Sequence, residues 1–96
     1  MLGTPIIKPK AMCLFEKDGR ILVSPGFDKL KNQKFYRVLG GSLNFGETSG
    51  AGVRREIREE LNSEIDNLKF IGVIENIFTY EDFNGHEIDF LFLGDL

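Results

Sequence analysis

GSLNFGETSGAGVRREIREELNS, from Gly41 to Ser63, decides how this chain is read. A glycine-rich opening and an acid at Glu47 lead into Arg55-Glu56-Ile57-Arg58-Glu59-Glu60, which reads as a helix over residues 48–62. At about 100° per residue, Glu56, Glu59 and Glu60 fall on one stripe of that helix. Val53, Ile57 and Leu61 recur at i, i+4, i+8 and form a second, apolar stripe about 100° away. One face is thus built to dock on a core while the adjacent face presents carboxylates. Three carboxylates in five residues repel one another unless positive charge sits among them. An i,i+4 pair between Arg55 and Glu59 would suit a plain solvated helix. Divalent cations carrying a phosphorylated substrate would suit a site, since hard cations take oxygen ligands and finish their shell with phosphates.

Thr48 or Ser49 suits the N-cap of this helix. Gly52 lies beside the carboxylate stripe, where it would leave room for a phosphate or a metal-bound water, or merely loosen the first turn. Asn62 tolerates the left-handed conformation that ends many helices.

Gly41, Glu47, Arg55, Glu56, Ile57, Glu59 and Glu60 together resemble the signature of the Nudix hydrolases, G-x5-E-x7-R-E-U-x-E-E-x-G-U with U a bulky aliphatic. Asn62 and Ser63 depart from it, standing where the signature has Gly and an aliphatic, and Ile65 is the candidate to replace the lost anchor. Leu39 stands where many relatives carry Pro ahead of the two glycines. The resemblance implies metal-dependent hydrolysis of a pyrophosphate bond in a nucleoside diphosphate linked to another moiety. It implies Mg²⁺ or Mn²⁺ held by Glu56, Glu59, Glu60 and the Gly40 carbonyl. Glu56 is either a metal ligand or the general base. Arg55 would orient the glutamates and pair with Glu47, with Gly41 supporting the loop. The other reading is a Nudix-like nucleotide- and metal-binding regulatory module with little or no hydrolysis, and a third is a fragment that works only within a larger assembly.

Ninety-six residues make a single domain, 1–96, with the signature loop-helix at 41–63. A net charge of −3, with acids gathered around the helix, speaks against a nucleic-acid partner. No apolar run is long enough to span a membrane, and MLGTPIIKPK lacks the apolar core of a signal peptide. Cys13, the lone cysteine, sits among Ala11, Met12, Leu14 and Phe15 and reads as a buried, inert thiol. The cytoplasm is the expected compartment.

Lys8–Phe15 and Arg20–Ser24 read as strands around a turn at Lys17-Asp18-Gly19, residues 26–34 as a loop, and Phe35–Leu39 as a strand entering a glycine turn. Leu68–Tyr80 and Glu87–Leu93 read as strands joined through Asn84-Gly85, a strong hairpin signal. The order β-β-β-α-β-β is an α+β pattern. The resemblance implies an α/β/α sandwich with a mixed sheet, and the chain stops where relatives continue into further strands and a second helix. Either the chain is a C-terminally truncated domain or fragment, or the exposed sheet face and edge are covered by a second copy, which favours a homodimer.

Outside the signature, Phe78, Tyr80 and Phe83 have the faces to stack a nucleobase, with core packing as the ordinary alternative. Arg37 precedes the glycines and either reaches a phosphate or is a surface cation. Glu87 is either a strand-end acid or a substrate-side one, since relatives often use an acid outside the signature to bind an extra metal or position water. His86 reads as a turn or cross-strand residue, and Glu75 as a partner for an arginine.

Overall fold

The computed structural model describes residues 5–96, so the first four residues of the N-terminal run read for a signal sequence lie outside it. Six strands and one helix follow in the order β1 (Lys8–Lys17), β2 (Arg20–Ile21), β3 (Val23–Asp28), β4 (Gln33–Ser42), α1 (Ser49–Leu61), β5 (Asp66–Tyr80) and β6 (Phe83–Asp95). The sheet runs β3-β4-β1-β6-β5, with β2 paired to β1. Only β1 and β6 are parallel, with Ala11 beside Phe90 and Cys13 beside Phe92. A mixed sheet carrying the signature helix on one face is the expected Nudix-type arrangement.

Alternation sorts the strands. Ala11, Cys13 and Phe15 of β1, Leu39 of β4 and Phe92 of β6 point to the face that receives Val53 and Ile57 of α1, and all are buried. The next residues on β1 and β6, Lys8, Lys10, Glu87 and Asp89, therefore share the opposite face. Leu61 does not complete the docking stripe, because it is 38% exposed; Ile65, 3% exposed, seals that end of the core instead. Burial also pushes the Cys13 thiol up to about 11, so it stays protonated.

Four expectations fail locally. The 20–24 segment is not one strand: it leaves β1 at Leu22, whose N–H donates to the Phe15 carbonyl, and then pairs with β4. The 26–34 segment is not a loop, because β3 runs to Asp28 and β4 begins at Gln33. Asp28 itself makes the tight turn, its carboxylate accepting from the N–H groups of Leu30 and Lys31 at 3.0 and 3.1 Å. Gly40 and Gly41 do not form a turn either; they lie in β4 opposite Met12 and Ala11.

The fourth concerns the β5–β6 hairpin, which turns at Glu81-Asp82, both with positive φ (46° and 66°), and not at Asn84-Gly85. Two consecutive left-handed residues make the twist a two-residue hairpin needs. Gly85 has another use: a Cβ there would run into the ring of Phe78, which lies across it.

The tips of the β3–β4 and β5–β6 hairpins, at opposite ends of the strand order, touch. Glu81 N–H donates to Asp28, Lys31 Nζ donates to the Thr79 carbonyl at 2.7 Å, and Tyr80 Oη donates to the Phe27 carbonyl at 3.2 Å. The Phe35 and Tyr80 rings meet edge to face, 5.7 Å between centroids. The sheet is thereby curled until its two edge strands meet at one end.

Candidate active site

Helix α1 starts where the Thr48 hydroxyl accepts from Ala51 N–H at 3.2 Å, and ends at Asn62 with φ 52° and ψ 41°. Between those caps the helix is fixed in rotation by Val53 and Ile57, which carries the carboxylate stripe to the β4 glycines. Gly41 leaves room there for the Glu56 carboxylate, which a Cβ would approach to 2.6 Å. Gly40, at φ 145°, lies so close to β1 that a Cβ would strike the Ala11 carbonyl. Gly52 leaves no room for a ligand: the Leu43 side chain and Glu47 fill the space beside it.

Arg55 organises this cluster. Its Nε and Nη2 donate to the two oxygens of Glu47 at 2.7 and 3.0 Å, a bidentate pair. Its Nη1 donates to Glu56 at 2.9 Å and to Glu59 at 3.3 Å, and Nη2 also donates to the Ser42 carbonyl at 2.9 Å. These bonds hold Glu47 down to about 2, the hydrogen bond from Arg55 first and the Asn44 N–H second. Glu60 moves the other way. Burial raises it, Glu56 adds like-charge repulsion, and a hydrogen bond from the Gly40 backbone opposes both. The positive charge of Arg37 also favours the ionised Glu60, and its guanidinium lies 5.6 Å over the Phe35 ring.

Among the described residues, no three Asp, Glu, His or Cys side chains converge closely enough to hold an ion as they stand. The donor chemistry still fits a hard divalent cation. Every candidate ligand is an oxygen, and the tension between Glu56 and Glu60 is the kind a cation relieves.

Phe78, Tyr80 and Glu87 do not join the helix carboxylates. With Lys8, Lys10, Phe83 and His86 they line a separate cavity of about 160 Å³. There Lys10 Nζ lies 2.7 Å from Glu87, and Asp89 is pushed up to about 6, by burial first and then by Glu87. Asp89, 2% exposed, leaves Oδ1 without a hydrogen-bond partner among the described residues, as does His86 at Nε2. Sequence reasoning passed over Lys10 and Asp89. The signal was there, in two acids at i, i+2 on one strand and a lysine pair at i, i+2 on its parallel neighbour. Glu75 has no arginine partner among the described residues.

A family model described as NUDIX domain matches residues 9–96. The chain belongs to the NUDIX family. Solved NUDIX structures share its fold. A MutT NUDIX hydrolase from Burkholderia pseudomallei superposes with a TM-score of 0.75 at 20% identity, covering 96% of this chain and 69% of that one. A NUDIX hydrolase from Nitrosomonas europaea gives 0.70 at 18%, covering 92% and 57%. A protein described as ADP compounds hydrolase gives 0.67 at 14%, covering 92% and 45%. This chain thus spans between 45 and 69% of the length of these three neighbours. No curated protein sequence matches it. No helix among the described residues is long and apolar enough to cross a membrane.

Proposed function

We propose that this NUDIX domain hydrolyses a pyrophosphate bond in a nucleoside diphosphate linked to a further group. The observation that carries this reading is Arg55, which binds Glu47 through two bonds and Glu56 and Glu59 through a third nitrogen. A merely solvated helix face needs no such anchoring to a loop acid and a strand carbonyl. Glu56, Glu59, Glu60 and the Gly40 carbonyl would hold Mg²⁺ or Mn²⁺. When bound, such an ion supplies charge neutralisation at the diphosphate and a more acidic water. Arg55 is the positioning residue that keeps Glu56 and Glu59 facing the β4 glycines. Glu56, whose carboxylate lies against the Gly41 backbone, is placed to accept a proton from a water there, as an alternative to ligation. Arg37, on the strand that enters the two glycines, would meet a substrate phosphate.

That one structural neighbour is described as ADP compounds hydrolase supports a nucleotide derivative as substrate. The single-domain reading of 1–96, a cytoplasmic location and a homodimer belong to the same proposal. The test is a product assay over a panel of nucleoside diphosphate derivatives with and without Mg²⁺ and Mn²⁺. Cleavage that needs the metal and is lost in Glu60→Gln is the expected result. Metal and nucleotide binding without turnover by any panel member would replace the hydrolase with a binding module.

A further inference from the structure

Two acids and two lysines meet on the sheet face opposite α1. The parallel register sets Lys8 beside Glu87 and Lys10 beside Asp89. Lys10 nevertheless pairs diagonally, its Nζ 2.7 Å from Glu87, and among the described residues no cation pairs with Asp89. On the other flank β5 sets Ile74 beside Asp89 and Asn76 beside Glu87, so no charge comes from those two positions. Lys8, His86 and Tyr80 are the other titratable groups along the cavity wall.

Asp89 is the more enclosed acid, 2% exposed against 7% for Glu87. A lone carboxylate buried to that degree is strongly disfavoured. Its Oδ1 has no hydrogen-bond partner among the described residues, yet its carboxyl group lies within hydrogen-bonding reach of Glu87. An ionised carboxylate is an acceptor only, so two of them cannot hydrogen-bond; one must carry a proton that the other accepts. Glu87 has Lys10 as a counter-ion and Asp89 has none, which puts the proton on Asp89. Burial, then the charge and hydrogen bond of Glu87, favour the protonated Asp89 against the opposing pull of Lys10.

We propose that Asp89 and Glu87 share one proton and, with Lys10, form a pH-sensitive charge switch on the cavity wall. With the proton in place Asp89 donates to Glu87, Glu87 holds Lys10, and the trio is neutral. Once the proton leaves, the trio carries one negative charge, and Lys10 is drawn towards the acid directly across from it. Lys10 and Glu87 line the cavity, so the charge met by anything entering it changes with pH. The switch belongs to the β1–β6 pair and does not depend on the hydrolase reading.

Unfolded, Asp89 loses its proton at the ordinary 3.8, whereas the folded chain keeps it to about 6. The folded state binds more protons between those values, so the stability this pair contributes at low pH is lost as pH rises through them. The test is a titration of the full chain in EDTA, following the assigned side-chain carboxyl carbon of Asp89 by NMR. The expected midpoint lies near 6 and not near 3.8. Glu87→Gln, which removes the repelling charge, is expected to lower that midpoint, and Lys10→Met, which removes the attracting one, to raise it. A role in packing alone would not produce opposite shifts. In thermal melts, Asp89→Asn is expected to flatten the fall in melting temperature between pH 3.8 and about 6. Glu60, also raised by burial, acts in the same direction and is unchanged in that variant. A wild-type Asp89 midpoint in the ordinary aspartate range overturns the switch, whether or not any variant folds. So does a midpoint that both Glu87→Gln and Lys10→Met leave where it is.

Discussion

Glu47 is the residue at which charge and fold are most tightly tied. Its pKa is depressed from 4.5 to about 2 by Arg55, so the folded state binds its proton more weakly than the unfolded chain does. The contribution is complete above about pH 4.5 and is lost as pH falls towards 2. Glu47→Gln should flatten the dependence of the unfolding midpoint on pH in that window; an unchanged slope would mean that the Arg55 bonds do not matter to stability. Arg55 acts one step behind the carboxylates, so Arg55→Gln should lower metal affinity or turnover roughly 10–100-fold, as loss of an outer-shell partner does. Manganese titration and initial rates would check this. Glu56→Gln and Glu60→Gln should abolish turnover and leave the melting temperature nearly unchanged, because α1 docks through other residues. A variant with the wild-type rate would leave the catalytic set.

Helix α1 shows how packing finishes what a motif begins. Val53 and Ile57 are fully buried while Leu61 is not, so Ile57→Ala should cost about 2–5 kcal/mol and Leu61→Ala much less. Urea melts of the two variants would separate them, and equal losses would contradict the observed docking. Gly52→Ala should change stability by less than about 1 kcal/mol, since the helix-propensity gain offsets displacement of the Leu43 side-chain end that the new methyl meets. The helix and its caps were legible because each rests on local chemistry: Thr48 accepts from Ala51, and Asn62 takes the left-handed turn. The β5–β6 turn was misjudged for a reason outside the local sequence. Asn84-Gly85 has the composition of a hairpin turn, but Gly85 is spent on seating the Phe78 ring across the strand pair. Similarly, the Asp28 turn was hidden inside a polar run whose hydrogen bonds only the paired strands reveal.

For the molecule as a whole, the consequential feature is the join between the two hairpin tips. Asp28 accepts from its own turn and from Glu81, so Asp28→Ala should raise amide exchange at Leu30, Lys31 and Glu81 together. Unchanged protection at Glu81 would show that Lys31 and Tyr80 hold the ends without it. The same closure sets Phe35 against Tyr80, with the Arg37 guanidinium over the Phe35 ring.

The sequence by itself determined the family, the acid-bearing helix and its caps, while the pairing of Arg55 with Glu47 followed only from the family resemblance. Each depends on residues at fixed offsets along one stretch of chain, and helix geometry turns such offsets into directions. Only the tertiary structure decided that Phe78, Tyr80 and Glu87 belong to a cavity apart from the helix carboxylates, together with Lys10 and Asp89. That grouping comes from the parallel register of β1 and β6, which are separated in sequence by the whole signature. No periodicity within either strand carries the register between them, so it had to come from the packed sheet.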